Sequence, residues 1–178
     1  MKNNEKLRYM ANAGMIAAIY AVTTLVLAPL SFANLQFRVS EALTLLPVLT
    51  GSAIPGLTLG CVLANAVGVA TGSNIAGWLD VLFGSMATLI AAILSRWLRK
   101  IEFKGIPFLA VLPPVILNAL IVGGELAVVY ELPFWVCALE VGAGELGVCL
   151  ILGLPLLMAL KKTKQYNENQ PDKKVCNE

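Results

Sequence analysis

The chain alternates between long apolar runs and short polar or turn-forming stretches. Six apolar segments can be drawn, at residues 9–30, 39–50, 54–70, 76–97, 106–130 and 134–160. Most approach the roughly 20 residues that a helix needs to cross a bilayer. The second segment is short and contains Pro47, so we expect it to tilt or to lie partly embedded. The pattern predicts an all-α membrane protein with six transmembrane helices.

The breaks between these segments define the domain organisation. Residues 51–56, 71–74 and 131–133 are rich in Gly, Ser, Asn and Pro and predict turns. We expect a cytoplasmic N-terminal segment at 1–8, a membrane domain at 9–161 and a cytoplasmic polar tail at 162–178, disordered from about Gln165. The first apolar run lacks an evident cleavage site, so it is interpreted as a retained span.

Composition supports the membrane assignment and excludes several functions. The chain is 58% hydrophobic and 13% charged, whereas a soluble domain carries about 25% charged residues. Histidine is absent, and Cys61, Cys137, Cys149 and Cys176 show neither paired nor metal-type spacing. No phosphate-binding loop and no hydrolase or metalloprotease motif occurs. We therefore expect no enzymatic activity, no cofactor, no bound metal and no nucleic-acid partner.

The distribution of basic residues predicts the orientation. Twelve of the thirteen fall at one end of a six-span topology, where the positive-inside rule assigns the cytoplasm to both termini. Arg38 alone falls on the outer side, beside Glu41. The three basic clusters are Lys2, Lys6 and Arg8; Arg96, Arg99, Lys100 and Lys104; and Lys161, Lys162, Lys164, Lys173 and Lys174.

In this topology the acidic side chains gather in the outer half of the membrane domain. Ionised groups at the bilayer centre are costly and normally face a partner or a watery cavity. The sequence therefore predicts an outward-open polar pocket. Glu145 falls nearer the middle and is five residues from Glu140, so the two need not both point inward. The candidate substrate-binding residues are Arg38, Glu41, Asn65, Asn74, Trp78, Asp80, Asn118, Glu125 and Glu140.

Several candidates also have a purely structural interpretation. Glu41 could simply pair with Arg38, and Asp80 could be a solvated charge at a helix start. Asn65 and Asn118 could join helices by hydrogen bonds. The aromatic residues near the outer boundary could form an interfacial belt, or one of them could stack on a flat ligand. These aromatic residues are Phe37, Trp78, Tyr130 and Trp135.

The first span carries small residues at intervals of four. Such a stripe allows close approach of another helix, either within this protein or in a membrane partner. The candidate partner-docking residues are Ala13, Gly14, Ala17, Ala18 and Ala21.

Several motifs resemble the QueT family. They are the run at 37–47, from Phe37 to Pro47; Ile54-Pro55-Gly56; the run at 60–65, from Gly60 to Asn65; the run at 79–85; and the run at 113–123, which contains Pro113-Pro114 and Asn118. The resemblance extends over about residues 9–160.

This resemblance implies the substrate-binding S component of an energy-coupling factor transporter, with six membrane helices. Such a subunit captures its substrate outside a bacterial plasma membrane and passes it to a module of one transmembrane coupling protein and two ATPases. The alanine-rich face of the first helix docks on the coupling protein in such transporters. The implied substrate is a queuosine precursor, a deazaguanine base. An aminomethyl substituent on that base would be cationic and would favour a second carboxylate.

Three other functions stay open at this stage. The main alternative is a stand-alone secondary transporter coupled to protons through Glu140 or Glu145, although inverted repeats and broken helices are not evident. A membrane enzyme with paired carboxylates and a purely structural subunit are the others. The segment at 31–38 is the natural lid over the outer pocket.

Overall fold

The computed structural model describes residues 2–32, 37–102 and 105–168, and within these ranges every apolar segment is helical. No strand occurs in those ranges, which confirms the all-α prediction. The elements are α1 (Lys2–Val26), α2 (Ala28–Ser31), a 3-10 helix (Val39–Val48), α3 (Ala53–Ala70), α4 (Trp78–Leu98), a 3-10 turn (Phe108–Val111), α5 (Leu112–Leu117), a π turn (Asn118–Val122), α6 (Gly123–Tyr130), α7 (Phe134–Val148), a second π turn (Cys149–Gly153) and α8 (Leu154–Glu168).

Five of the six segments are long and apolar enough to cross a membrane, and the second is the exception. It forms a ten-residue 3-10 helix with Pro47 inside it. A 3-10 helix rises about 2.0 Å per residue, so ten residues extend about 20 Å, compared with about 15 Å for an α-helix. The short segment therefore traverses much of the bundle, although it has too few residues for an α-helical span.

Polar contacts place the basic ends of the helices together. The Tyr9 hydroxyl donates to the Gly51 carbonyl at 3.1 Å, and Arg96 Nη1 donates to the Pro47 carbonyl at 2.9 Å. Lys161 Nζ lies 2.7 Å from Glu102 Oε1, just beyond the end of α4. The start of α1, the end of α4 and the last helix thus share one end of the bundle, as the positive-inside pattern predicts.

Some of the small residues of α1 pack inside the protein. A Cβ atom added at Gly56 would lie 2.8 Å from the Ala13 carbonyl oxygen, and one at Gly60 would lie 2.9 Å from that of Ala17. The backbones of α1 and α3 therefore approach closely through two glycines of α3. Ala21 packs against an apolar core in which Ile16 and Tyr20 of α1 meet Leu57 and Cys61 of α3.

This packing separates the candidate docking residues into two groups. The side chain of Ala17 is only 3% exposed, so it packs inside the protein. Gly14 and Ala18 are exposed, one helical turn apart on another face of α1. The stripe therefore divides into an internal face and an exposed face, because residues four apart share a face and neighbouring residues do not.

The end of the chain also differs from the prediction. Helix α8 continues to Glu168, beyond the start of the expected disordered tail at Gln165. Local helix propensity explains the extension, since lysine and glutamine are good helix formers. The rest of the predicted tail, residues 169–178, lies outside the described residues, as does the 33–36 part of the proposed lid.

Candidate functional site

A buried ion pair occupies the end of the bundle opposite the basic clusters. Nη2 of Arg38 contacts Oδ2 of Asp80, and the Asn74 amide donates to the same oxygen at 2.9 Å. Arg38 is 5% exposed and Asp80 is completely buried. The guanidinium also lies 5.5 Å from the centroid of the Phe32 ring, a cation–π arrangement. Asp80 thus joins the start of the 3-10 helix to α4 and to the loop that precedes α4.

This geometry overturns two of the simpler alternatives. Arg38 pairs with Asp80, so the alternative in which Glu41 simply pairs with Arg38 is wrong. Asp80 is not a solvated charge at the start of a helix, because none of its surface is exposed. Glu41 is the acid nearest to Arg38 in the chain, but the folded bundle brings Asp80 of α4 into contact with the guanidinium.

Glu41 instead contacts the first helix. One carboxylate oxygen accepts a hydrogen bond from the Tyr20 hydroxyl, and both side chains are buried. Close by, the hydroxyl groups of Thr24 and Ser40 are 2.7 Å apart. The other oxygen of Glu41, Oε2, has no hydrogen-bond partner within the described part of the chain. Tyr20 is not among the candidate residues from the sequence, although a buried phenol in an apolar helix usually requires a polar partner.

A narrow polar cavity lies next to this carboxylate. Its volume is about 10 Å³, close to the space needed for one water molecule. This is much smaller than the outward-open pocket that the sequence predicts. The 3-10 helix, the first π turn and α7 form its walls, and the lining residues are Arg38, Glu41, Asn118, Val122, Val141 and Glu145.

Two π turns flank this region. Asn118 and Val122, which line the cavity, are the first and last residues of one turn. Cys149 begins the other, and its thiol lies 3.6 Å from Glu145 Oε1. A π turn locally widens a helix and redirects side chains, and such turns are frequent at functional sites. Asn118 thus faces the cavity from an irregular part of its helix.

Glu145 is the ionisable lining residue that is missing from the candidate substrate-binding residues, and the apolar Val122 and Val141 are missing too. It is 5% exposed, whereas Glu140 on the same helix is partly exposed and does not line the cavity. The five-residue spacing placed the two side chains on different faces of α7, but only the packed structure shows which face points inward.

Three other predicted residues also lie away from the cavity. Asn65 donates to the Asp80 backbone carbonyl at 2.9 Å, so it joins α3 to α4. Trp78 is 70% exposed, which fits an interfacial aromatic residue. Asn74 binds Asp80, as described above, and its Oδ1 accepts from the Ala76 backbone N–H at 3.1 Å.

Glu125 lies in a separate apolar cleft. The cleft measures about 320 Å³ and is also lined by Leu79, Phe83, Ile121, Gly124 and Val128. Leu79, Phe83 and Val128 are exposed, so the cleft lies on the surface of the helix bundle and not in its interior. Neither carboxylate oxygen of Glu125 has a hydrogen-bond partner in the described ranges. Glu125 is therefore buried in an apolar cleft and does not line the central polar cavity.

Comparison with known proteins gives consistent results. A family model described as QueT transporter matches residues 10–162. The chain is 31% identical over 78 residues to the queuosine precursor transporter QueT of Lactococcus lactis subsp. cremoris strain MG1363. That alignment covers 43% of this chain and 42% of the relative, so less than half of the relative's length is matched. No solved structure matches.

Proposed function

Since this chain belongs to the QueT transporter family, we propose that it is the substrate-binding membrane subunit of an energy-coupling factor importer. Its substrate would be a queuosine precursor, a deazaguanine base, taken up across a bacterial plasma membrane. The buried cavity beside Glu41, Asn118 and Glu145 is the observation that supports a binding role most directly. Ionisable groups at this costly depth normally face a partner or a cavity, and Glu41 Oε2 has no hydrogen-bond partner in the described part of the chain.

The chemistry of the cavity suits such a base. A guanine-like edge presents neighbouring N–H donors, which a carboxylate can accept together. Glu41 keeps one oxygen without a partner in the described part of the chain, and Asn118 offers both a donor and an acceptor. The Glu41 carboxylate and the Asn118 amide could therefore form hydrogen bonds with the edge of the base.

The size of the cavity adds a mechanical requirement. A bicyclic base is many times larger than a single water molecule, so the segments around the cavity must separate before it enters. The 3-10 helix is held at the cavity end by Arg38 and at the other end by Arg96. The π turns provide the irregular backbone at which the neighbouring helices can adjust.

An ATP-driven partner would supply the energy. The chain has no phosphate-binding loop of its own. Gly14 and Ala18 form an exposed pair of small residues on α1, surrounded by exposed Met15, Ile19 and Val22. A small-residue pair within an apolar surface permits close helix–helix contact in the membrane. We assign partner docking to this exposed face and not to the buried Ala17.

Binding and uptake measurements test the proposal. We expect the purified chain in detergent to bind deazaguanine bases in calorimetry and to show no comparable affinity for B vitamins. Vesicles that contain this chain alone should show no uptake driven by a proton gradient, and vesicles that also contain the coupling protein and ATPases should import with ATP.

The second candidate, a proton-coupled secondary transporter, is favoured by one observation, the pair of buried carboxylates Glu41 and Glu145 at one cavity. Gradient-driven uptake by the chain alone would support this candidate and contradict the role of a subunit.

A further inference from the structure

A second cavity lies apart from the central one, in the cleft between α4 and α6 that contains Glu125. Leu79 and Phe83 of α4 form one wall, and Glu125 and Val128 of α6 form the other. The cleft measures about 320 Å³, and the exposed side chains of Leu79, Phe83 and Val128 open it to the surroundings of the bundle. In a chain that spans the membrane, such an apolar surface faces lipid tails.

The cleft lies near the outer surface of the bilayer. Trp78, which begins α4 next to Leu79, is largely exposed, as expected of an aromatic residue at the membrane interface. Glu125 precedes Tyr130, the last residue of α6, by five residues, which correspond to about 7.5 Å of helix. The cleft therefore extends from the interface into the outer hydrocarbon layer, where its occupant would come from the outer leaflet.

Glu125 is the charged side chain of this cleft, and the cleft supplies no counter-charge. Glu125 is 7% exposed, and neither of its carboxylate oxygens has a hydrogen-bond partner in the described ranges. The two ion pairs among the described residues, Arg38–Asp80 and Lys161–Glu102, do not include it. An ionised acid in an apolar environment is costly without a cation, so such a group normally faces a partner.

We propose that this cleft binds a long-chain primary amine from the outer leaflet, with its ammonium group against Glu125 and its hydrocarbon chain against Phe83 and Ile121. A primary ammonium carries three N–H donors, enough to satisfy both oxygens of Glu125. The other lining residues carry no polar side chain that would bind a phosphate. An amine joined directly to hydrocarbon therefore fits the cleft better than a zwitterionic phospholipid. Binding here is independent of which substrate the central cavity takes.

Photo-crosslinking with two probes of equal chain length tests the proposal. The full-length chain in phosphatidylcholine nanodiscs would be irradiated with dodecylamine that carries a diazirine in its chain, or with the matched dodecanol at the same concentration in the bilayer. Mass spectrometry identifies the labelled peptides. We expect the amine to label residues 79–83 and 121–128 about tenfold more than the alcohol, the factor that a hydrogen bond to a buried charged group contributes. Unlabelled dodecylamine should compete, and unlabelled phosphatidylethanolamine should not.

Two variants locate the charge that the amine meets. Glu125→Gln keeps the size of the side chain and removes its charge, so labelling by the amine should fall about tenfold, to the level of the alcohol. Glu140→Gln is the matched control, because Glu140 is partly exposed on α7 and does not line the cleft, and labelling should be unchanged. Thermal unfolding shows whether each variant is folded. If Glu125→Gln is not, the comparison of amine with alcohol on the unaltered chain decides.

Equal labelling by the two probes, or no labelling of the two segments, contradicts the proposal, as does undiminished labelling of folded Glu125→Gln. Competition by phosphatidylethanolamine as strong as that by dodecylamine would show that the ligand is a zwitterionic phospholipid and would overturn the proposed class. None of these results bears on deazaguanine binding, which calorimetry measures separately.

Discussion

At the scale of single residues, the Arg38–Asp80 pair is the strongest constraint on the candidate site. Its two partners are 42 positions apart in the chain, and both are buried. Asn74 supplies a further hydrogen bond to the same carboxylate oxygen. A buried charge that loses its partner is destabilising, whereas replacement of both partners by apolar residues is often tolerated. The contribution of this pair can therefore be separated from that of packing.

We expect Asp80→Leu to lower the free energy of unfolding by about 3–5 kcal/mol, because it leaves the Arg38 guanidinium buried without a counter-charge. The double variant Arg38→Met/Asp80→Leu should recover most of this loss. Denaturant unfolding in detergent micelles measures both. A double variant as unstable as the single one would show that the two side chains do not act as a pair.

At the scale of elements, the contact between α1 and α3 holds the first half of the bundle together. It depends on Gly56 and Gly60, which let two backbones approach where any side chain would meet a carbonyl oxygen. Dispersion contacts across such a close interface replace the hydrophobic driving force that is absent between helices in lipid. The exposed face of α1, with Gly14 and Ala18, stays available for a second membrane protein.

Gly60→Val should destabilise the protein by about 1–3 kcal/mol, the usual cost of overpacking, because its Cβ atom would lie 2.9 Å from the Ala17 carbonyl oxygen. Thermal unfolding in detergent measures this effect. Gly14→Val is the matched control, since nothing lies within 4 Å of its Cβ position. A Gly14→Val protein that unfolds at the same low temperature would show that helix propensity, and not the interface, explains the loss.

The same control variant tests the docking face. We expect Gly14→Val to reduce copurification with the proposed coupling protein while it leaves binding of the proposed deazaguanine substrate unchanged, because the added side chain separates helices on the exposed face only. Pull-down from membranes that contain all subunits, with binding measured in parallel, provides both readouts. Normal assembly of this variant would place the partner elsewhere.

At the scale of the whole molecule, the charges divide the bundle into two ends. The described contacts of Tyr9, Arg96 and Lys161 gather at one end, and the Arg38–Asp80 pair lies at the other. The excess of lysine and arginine at the first end predicts that it faces the cytoplasm. The candidate cavity, which Arg38 lines, then lies towards the outer end of the bundle.

Cysteine labelling checks this orientation. In a Cys176→Ser background, Thr71→Cys should react with a membrane-impermeant maleimide in intact cells, whereas Lys100→Cys should react only after permeabilisation. Both positions are exposed, and Cys61, Cys137 and Cys149 are buried, so the background should stay unlabelled. The reverse pattern of labelling would invert the topology and exclude an outward-facing cavity.

The sequence by itself determined the class of fold and the grouping of charge. Apolar runs of about 20 residues have few stable structures in lipid other than helices, and the clustering of lysine and arginine predicts how those helices are oriented. Both features depend on local composition, so no knowledge of packing was required.

The tertiary structure alone decided which side chains meet. The choice of Asp80 over Glu41 as the partner of Arg38, the inward position of Glu145 relative to Glu140 and the internal use of Ala17 all depend on how the helices rotate about their axes. Lipid-facing and core-facing positions are both apolar in a membrane protein, so hydropathy carries little information about that rotation. The rotation of each helix about its axis is fixed instead by close packing at glycines and by the pairing of buried charges.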